Sequence, residues 1–425
     1  MNRRTFLKRA MAAAGATLAF PTIVPSSVFG KDAPSNRIVM GGIGMGGMGM
    51  GNLNSFLGKP GVQFVAVCDV DAGHLKAAKD RVDKRYGNKD CAIYGDFREM
   101  IARGDLDAIS MATPDHWHAI TAITALRAGI DMYGEKPLTH DLRSGRALVN
   151  TAARYGRIWQ TGSWQRSEQN FHFACELVRN GRIGKIHTVE VGLPNGSGGG
   201  TLAPQAAPAT LDWNFWLGPA PSRPFQGVAH SNWRWVTDWG GGQMMDWIGH
   251  HGDIAQWGLG TEYTGPVEIE GQGRFPDSGL YDAPTAYKVT GTYANGVRII
   301  IANAAQQPKG MGTRWIGDKG WIWVDRGHMD TEPKSLLSEK IGAGEIRLYL
   351  SRDHHQNFLD CVRSRKPTIT PAEVAHRSAS LGHLGQIAMI TGRKIRWNPD
   401  TEQIIGDPGA SALLGRASRE PWNAA

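Results

Sequence analysis

The chain contains 425 residues, enough for two domains, and its 47 Lys and Arg exceed its 39 Asp and Glu to give a formal net charge of +8. Its four cysteines are scattered without a Cys-x-x-Cys pair, which argues against a disulfide framework or a zinc ribbon. No stretch reaches the roughly 18 consecutive apolar residues that indicate a membrane-spanning helix.

Residues 1–30 are predicted to be an export signal. Arg3 and Arg4 form a twin-arginine sequence, a weakly apolar Ala/Gly segment follows at 10–20, and Val28 and Gly30 are small enough for cleavage after Gly30. The alternative is a disordered basic N-terminus. Because twin-arginine export carries folded proteins, we expect a periplasmic or otherwise exported protein.

The positive charge of the chain lies partly in this leader. Its removal takes away four cationic residues and no acidic residue, so the formal charge falls from +8 to +4. The remaining excess is modest and dispersed, and we therefore expect no nucleic-acid partner.

The first predicted strand, at 37–43, runs into a glycine-rich turn. Gly44, Gly46 and Gly49 stand at the spacing of a dinucleotide-binding turn, with Met45 between the first two. The first glycine allows the tight turn, the second lets the backbone approach a pyrophosphate, and the third lets the following helix pack closely. The alternative is a glycine-rich turn with no ligand.

The second predicted strand, at 63–69, ends in Asp69, which lies 25 residues after Gly44. A carboxylate near this spacing meets the adenosine ribose hydroxyls of a dinucleotide. Since it would repel the 2'-phosphate of NADP, Asp69 favours NAD, and no Arg or Lys follows directly.

Strands and helices alternate up to about Gly162, which indicates a doubly wound parallel sheet of the Rossmann type. The predicted strands are 37–43, 63–69, 91–94, 107–112, 130–134 and 157–161, and the predicted helices are 48–57, 72–86, 116–128 and 141–155, with a short helix starting at Asp96.

The composition changes after this region. A long Gly/Pro-rich loop covers 194–221, and Asn295-Gly296 predicts a hairpin turn. We therefore predict an α+β domain with a mainly antiparallel sheet, and domain boundaries of 31–162, 163–397 and a tail at 398–425. Its predicted strands are 185–192, 267–273, 286–294, 297–302 and 321–324, and its predicted helices are 168–180, 243–258, 353–363 and 371–390.

Two short motifs directly follow strands of the predicted parallel sheet, where ligands of such sheets bind. They are Thr113-Pro114-Asp115-His116-Trp117-His118 and Glu135-Lys136-Pro137. A partly desolvated lysine can exchange a proton with a substrate hydroxyl; alternatively, Lys136 is a surface residue paired with Glu135. His116 and His118 are either a metal-ligand pair or part of a helix N-terminus that lines the pocket.

A third motif begins with Gly240-Gly241-Gly242 and continues to Asp246, His250 and His251. Asp246 and His250 are four residues apart, so on an α-helix they share one face. This pair could relay protons, bind a metal or form a buried hydrogen bond. We predict no metal, because no motif supplies a third ligand.

Together these motifs resemble the glucose–fructose oxidoreductase and inositol dehydrogenase (Gfo/Idh/MocA) family over nearly all of the predicted mature chain. The family pattern implies a Rossmann domain followed by a domain with a large open sheet that often mediates dimers or tetramers. DHWH and the segment 162–167 look like an exported, sugar-acting branch. Carried onto this chain, the resemblance assigns Lys136, Asp246 and His250 to catalysis, with His250 as acid/base, and Glu135, Thr113, Pro114, His116 and Trp117 to the cofactor pocket; Gln165, Arg166 and His251 are substrate candidates.

Three hypotheses for the function follow from the motifs, the resemblance and the predicted export. The first is hydride transfer between a carbohydrate and tightly bound NAD in a closed redox cycle, with NADP less favoured. The second is an NAD-dependent glycosidase that works through transient 3-keto oxidation, elimination, water addition and re-reduction. The third is a nucleotide-bound scaffold without turnover. The 15 tryptophans suit a carbohydrate substrate, although core packing accounts for many of them.

Overall fold

The computed structural model describes residues 36–228 and 232–422. The predicted twin-arginine leader at 1–30 lies outside the described residues. Two sheets organise the chain from Ile38 onward, and the described residues from that point belong to one compact unit. The predicted boundary at 162 stays a prediction, although the last strand of the first sheet ends at Thr161.

The first sheet is the predicted parallel Rossmann sheet, with six strands in the order β3-β2-β1-β4-β5-β6. Every strand pair in it is parallel. The strands are β1 (Ile38–Ile43), β2 (Val62–Cys68), β3 (Ala92–Tyr94), β4 (Ala108–Met111), β5 (Asp131–Gly134) and β6 (Trp159–Thr161), and the helices are α1 (Gly47–Leu57), α2 (Ala72–Tyr86), α3 (Phe97–Ile101), α4 (Asp115–Arg127) and α5 (Leu142–Arg154).

The second sheet has nine strands in the order β13-β12-β11-β7-β10-β9-β8-β14-β15. The pairing is antiparallel except between β7 and β10, so the mainly antiparallel prediction is confirmed. Its strands are β7 (Ile186–Leu193), β8 (Glu268–Arg274), β9 (Ala286–Thr292), β10 (Arg298–Asn303), β11 (Gly312–Gly317), β12 (Gly320–Asp325), β13 (His328–Glu332), β14 (Ile395–Asn398) and β15 (Gln403–Ile404).

The helices of this second region are α6 (Gln169–Arg179), α7 (Trp213–Leu217), α8 (Gly242–Trp247), α9 (Asp253–Leu259), α10 (His354–Ser364), α11 (Ala372–Thr391) and α12 (Pro408–Ala412). One face of the nine-stranded sheet packs against α6, α9 and α11. Val189 and Ile301 of the sheet and Leu177 and Ile254 of the helices are fully or almost fully buried in this core. Burial of such side chains stabilises the fold by about 1.5–3 kcal/mol each.

Several elements differ from the sequence prediction, among them the short helix α7, which lies inside the predicted loop 194–221. The predicted helix 243–258 is interrupted by a π-helical turn at Ile248–Gly252, which separates α8 from α9. The strands β11, β13, β14 and β15 were not predicted, because glycine or polar residues break the apolar alternation in some and others are very short.

The segment predicted to be a tail packs onto the body of the protein. Leu414 and Trp422 are buried, and the ring of Trp422 lies 4.8 Å from that of Trp117 on α4. This part of the chain therefore supports the Rossmann sheet.

Within the ranges that the structure describes, no helix combines the length and the apolar character required to cross a bilayer.

Candidate active site

The glycine-rich turn between β1 and α1 has the geometry of a phosphate-binding turn. Gly44 has a φ of +78°, and a Cβ there would lie 2.7 Å from the backbone of Ala112. A Cβ on Gly49 would lie 1.8 Å from the carbonyl oxygen of Gly44, whereas Gly47 has open space around it. The turn therefore leaves room for a ligand at Gly47 and packs closely against its own backbone and against the segment that follows β4.

Asp69 follows β2 and lies against this turn. Its carboxylate accepts hydrogen bonds from the backbone N–H of Met45, at 2.6 Å, and of Asp71, at 2.9 Å. The hydrogen bond to Asp69 raises the pKa of His74, although burial opposes it. Since a carboxylate offers about four acceptor positions, Asp69 retains capacity for ribose hydroxyls.

A cavity of about 340 Å³ extends from this turn along the carboxyl edge of the parallel sheet. The backbone of Gly44 and Gly46 lines one part of the cavity. The charged side chains of Lys136, which follows β5, and Asp246, which lies in α8, line another part. This lining fits NAD, with the pyrophosphate at the N-terminus of α1. The sequence-predicted residues on its wall are Gly44, Gly46, Asp69, Thr113, Pro114, Trp117, Glu135, Lys136 and Asp246.

Lys136 lies on the cavity wall and contacts Asp246. Its Nζ donates hydrogen bonds to the carbonyl oxygen and to Oδ1 of Asp246, both at 2.8 Å. Arg234 donates to the same Oδ1 from 3.0 Å. Because an ammonium has three N–H bonds, Lys136 keeps one donor for a substrate hydroxyl.

Asp246 is an anion shared by two cations. Burial opposes its ionisation, but the charges and hydrogen bonds of Lys136 and Arg234 outweigh burial and hold the pKa of Asp246 well below its usual range. Asp246 therefore fixes the ammonium of Lys136 at the cavity wall.

His250 lies behind this pair and is not on the cavity wall. A Cβ on the preceding Gly249 would lie 2.9 Å from the Cβ of Lys136, so the two segments touch. Burial, followed by the charge of Lys136, holds the pKa of His250 well below its usual value, and its buried Nδ1 has no hydrogen-bond partner among the described residues. His250 is therefore a neutral imidazole with a free ring nitrogen.

The expected hydrogen bond between Asp246 and His250 is absent from the described region. Asp246 is the residue before the last in α8, and the π-helical turn begins two residues after it, so the two side chains do not follow the α-helical four-residue spacing. Such turns recur at functional sites. Here Asp246 pairs with Lys136 instead of His250. The ring of His250 packs against Trp164 and Trp247, whose ring centroids are 6.0 and 5.5 Å away.

Asp115, which was not among the predicted site residues, is also on the cavity wall. It is 4% exposed, and burial, followed by the charge of Asp246, raises its pKa to about 8. A carboxyl group that stays protonated near neutral pH can serve as an acid or, after ionisation, as a base. Its position at the start of α4, directly after Thr113-Pro114, could have identified Asp115 as a wall residue from the sequence.

The raised pKa of Asp115 predicts a pH-dependent stability. The ordinary value is 3.8, so between about pH 4 and pH 8 the unfolded chain releases this proton while the folded chain keeps it. Folding stability is then lost as pH rises, by up to about 1.4 kcal/mol per pH unit. In denaturant titrations of nucleotide-free protein, Asp115→Asn should remove this component, whereas Asp277→Asn at an exposed position should not. Parallel pH curves for wild type and Asp115→Asn would contradict the assignment.

Glu135 is held at the sheet edge by its neighbours. It is buried, Asn52 donates to its Oε1 from 3.0 Å, and a Cβ on Gly162 would lie 2.7 Å from its carboxylate. Burial raises its pKa. The glycine after β6 is therefore required for Glu135 to occupy the cavity wall.

The two histidines of the DHWH motif face backbone carbonyl groups. The ring nitrogens of His116 lie 3.3 and 3.0 Å from the carbonyl oxygens of Trp239 and Trp216, away from the cavity wall. Those of His118 lie 2.7 and 2.9 Å from the carbonyl oxygens of Pro137 and Thr113. The structure thus places His116 in a loop-supporting role, while His118 joins the segments that follow β4 and β5.

Arg166, predicted as a substrate residue, belongs to a buried ion pair. Its guanidinium donates to Asp253 at 2.6 and 2.8 Å, and both side chains are almost fully buried. Loss of one partner of such a pair costs about 3–5 kcal/mol. The structure therefore gives Arg166 a role in stability.

The other predicted site residues are not on the cavity wall: two of them shape the glycine-rich turn, and two are buried in the interior. Met45 contributes its backbone N–H to Asp69, and Gly49 closes the turn. Gln165 is buried with both amide atoms unpartnered, and His251 is fully buried with its Nε2 3.4 Å from Asp325. Sequence reasoning also missed four wall residues, Phe215 and Trp216 on the short helix α7 and Trp233 and Arg234 on a 3-10 turn.

Across the described ranges, no cluster of three or more His, Cys, Asp and Glu side chains is placed to hold a metal ion.

The fold and this cavity define an NAD-binding, two-sheet oxidoreductase. Residues 37–163 match the oxidoreductase family with an NAD-binding Rossmann fold, and residues 193–424 match the C-terminal alpha/beta domain of the same family. The chain belongs to the Gfo/Idh/MocA oxidoreductase family.

Relatives in this family differ in their described activities. A glycosyl hydrolase family 109 protein of Shewanella baltica is 30% identical over 206 residues, which are 44% of each chain. An uncharacterised oxidoreductase of Bacillus subtilis, YrbE, is 25% identical over 70% of this chain and 76% of its own. The chain thus spans less than half the length of the Shewanella relative that it matches.

The fold is also similar to that of the WlbA dehydrogenase from Bordetella pertussis, solved in complex with NADH and UDP-GlcNAcA. The TM-score is 0.64 at 18% identity, over 85% of this chain and 99% of the other. This likeness concerns the fold.

Proposed function

We propose that the protein is a sugar oxidoreductase in which NAD is tightly held. The observation that carries the proposal is the position of Lys136, whose ammonium lies on the wall of the nucleotide cavity with one donor left for a hydroxyl. When bound, NAD supplies a hydride acceptor for the carbon that bears this hydroxyl. A nucleotide-bound scaffold without turnover would not require a charged pair there.

Lys136 orients the sugar hydroxyl, and the lone pair of the neutral His250 provides a nearby base for its proton. Asp246 holds the ammonium in place and, with Arg234, balances the charge. Restricting the substrate to one geometry lowers the barrier by several kcal/mol, within the roughly 7–11 kcal/mol available from orientation.

The twin-arginine prediction supports a closed redox cycle. An exported enzyme has no general pool of NAD to exchange with, so a released reduced cofactor would be lost. The chain would therefore retain its nucleotide and return the hydride to a second sugar or to the same one. We propose a periplasmic or otherwise exported location and, from the family resemblance, a dimer or tetramer.

A redox-neutral glycosidase is a second candidate, favoured by Asp115. In this reaction, oxidation at C3 acidifies the proton at C2, the aglycone leaves, water adds, and the ketone is reduced again. The reaction needs a second acid/base near C2. Asp115 lies on the cavity wall with a pKa of about 8, and the match to a glycosyl hydrolase family 109 protein points the same way.

The two candidates are separated by incubating the NAD-loaded protein with a panel of sugars and glycosides in deuterium oxide. Mass spectrometry of the products should show a ketone without C2 label for an oxidoreductase. Deuterium at C2 with release of the aglycone would instead assign the glycosidase. Recovery of every sugar unchanged and unlabelled would contradict both.

A further inference from the structure

Arg326 lies beyond Lys136 and His250, in the turn between β12 and β13. The carbon at the centre of its guanidinium is 4.4 Å from the ring centroid of Trp164 and 4.4 Å from that of Trp247. Because two indoles pack against this guanidinium, its position is restricted while its N–H groups remain hydrogen-bond donors.

The edge of this guanidinium has no partner within the described parts of the chain. No described side chain or carbonyl accepts a hydrogen bond from it, no carboxylate pairs with it, and its buried Nε is unsatisfied. Asp325 accepts from the backbone N–H of Arg326 instead and lies 3.4 Å from His251. Glu168, the other nearby acid, makes no ion-pair contact with Arg326; burial raises its pKa, and the charge of Arg326 opposes this shift.

The same two indoles also flank His250. Trp164 and Trp247 meet its ring edge-to-face, with centroids 6.0 and 5.5 Å away. Arg326 is therefore separated from the proposed base by one layer of aromatic side chains, and its charge contributes to the low pKa of His250, after burial and Lys136.

The cations near the reacting group differ in their ion-pair contacts. Lys136 and Arg234 share the single carboxylate of Asp246, and Arg326 has no ion-pair partner among the described residues. An unpaired, partly buried guanidinium is costly unless a ligand completes it, and its planar fork matches a carboxylate with two parallel hydrogen bonds.

We propose that Arg326 binds the carboxylate of an acidic sugar, so that the substrate is a uronic acid or a glycoside that contains one. This inference rests on the proposed function and names its substrate class. The carboxylate pairs with the guanidinium of Arg326, while a ring hydroxyl lies at the ammonium of Lys136. Since the two indoles already order the guanidinium, little side-chain entropy is lost on binding.

Binding to the NAD-loaded protein tests the proposal by isothermal titration calorimetry with matched pairs, glucose with glucuronate and galactose with galacturonate. We expect the uronate of at least one pair to bind about 10–100-fold more tightly than its neutral partner. Arg326→Gln should remove this preference, and Arg326→Lys, which keeps the charge without the fork, should lose most of it.

The control is Arg314→Gln, which also removes a guanidinium stacked on an indole, that of Trp321 at 4.7 Å, but one paired with Glu190 on the large sheet. It should retain the preference for the acid. Equal affinity within every pair, or a preference that survives in both Arg326 variants, would overturn the proposal.

The binding measurement does not depend on turnover. Arg326-dependent uronate binding without any sugar-driven reduction of the nucleotide would contradict the proposed function alone. Oxidation of neutral sugars, with no tighter binding of uronates, would contradict the acidic substrate alone.

Discussion

Lys136→Ala is expected to lower turnover by about 10²–10⁴-fold while the protein keeps its bound nucleotide. The Lys136 ammonium lies on the cavity wall, donates two hydrogen bonds to Asp246 and keeps its third N–H for the substrate. The substitution therefore removes the donor to the substrate hydroxyl. Steady-state rates on the best sugar of the panel, together with the nucleotide content after gel filtration, provide the measurement.

Lys366→Ala serves as the control, because Lys366 is exposed and lies two residues after the end of α10. It should leave both rate and nucleotide content unchanged. A rate for Lys136→Ala within tenfold of the parent would remove this residue from the mechanism. His250→Ala, measured beside it, distinguishes a base next to the cavity from a buried packing residue.

Gly49→Ala is expected to weaken NAD binding by about a hundredfold. The added Cβ would lie 1.8 Å from the carbonyl oxygen of Gly44, and a backbone atom cannot move aside as a flexible side chain does. Overpacking of this kind costs about 1–3 kcal/mol, and we expect the upper part of that range, which corresponds to the hundredfold change.

Gly51→Ala is a matched control two residues along the same helix, where an added Cβ meets nothing within 4 Å. It should bind NAD as the parent does and be slightly more stable, by about 0.5–1 kcal/mol, because alanine is the better helix residue. Equal NAD affinities for the Gly49 and Gly51 variants in a calorimetric titration would show that the turn does not shape the site.

The parts of the site that were predictable from the sequence follow from local rules. The spacing of Gly44, Gly46 and Gly49 encodes a turn of known shape, and Asp69 follows from the strand after it. Thr113 and Lys136 were found because parallel strands bring their carboxyl ends to one edge. Each of these inferences needed only a few neighbouring residues.

The parts that were missed depend on contacts between distant segments. Arg234 and Trp233 reach the cavity from a single 3-10 turn that is too short to show a periodic pattern, and Trp422 joins the core beside Trp117 from the last described residues. The π-helical turn after Asp246 breaks the expected four-residue pairing with His250, and a helical pattern does not reveal it.

Arg166 shows the limit of assigning roles from a motif. The sequence places it directly after the last parallel strand, near the expected ligand. In the fold its guanidinium turns inward to Asp253, where it forms two hydrogen bonds in the interior. A buried carboxylate 87 residues away decides its role, and sequence spacing carries no information about that partner.

In the proposed reaction, a nicotinamide nucleotide at the edge of the parallel sheet exchanges a hydride with a carbohydrate beside Lys136. Rapid mixing of the purified, nucleotide-containing protein with the sugar panel, while the absorbance of reduced nicotinamide is followed, tests this exchange. We expect reduced nicotinamide on the protein with at least one carbohydrate, and none with Lys136→Ala. Protein that is replete with NAD yet shows no reduction with any sugar, uronate or glycoside would contradict it.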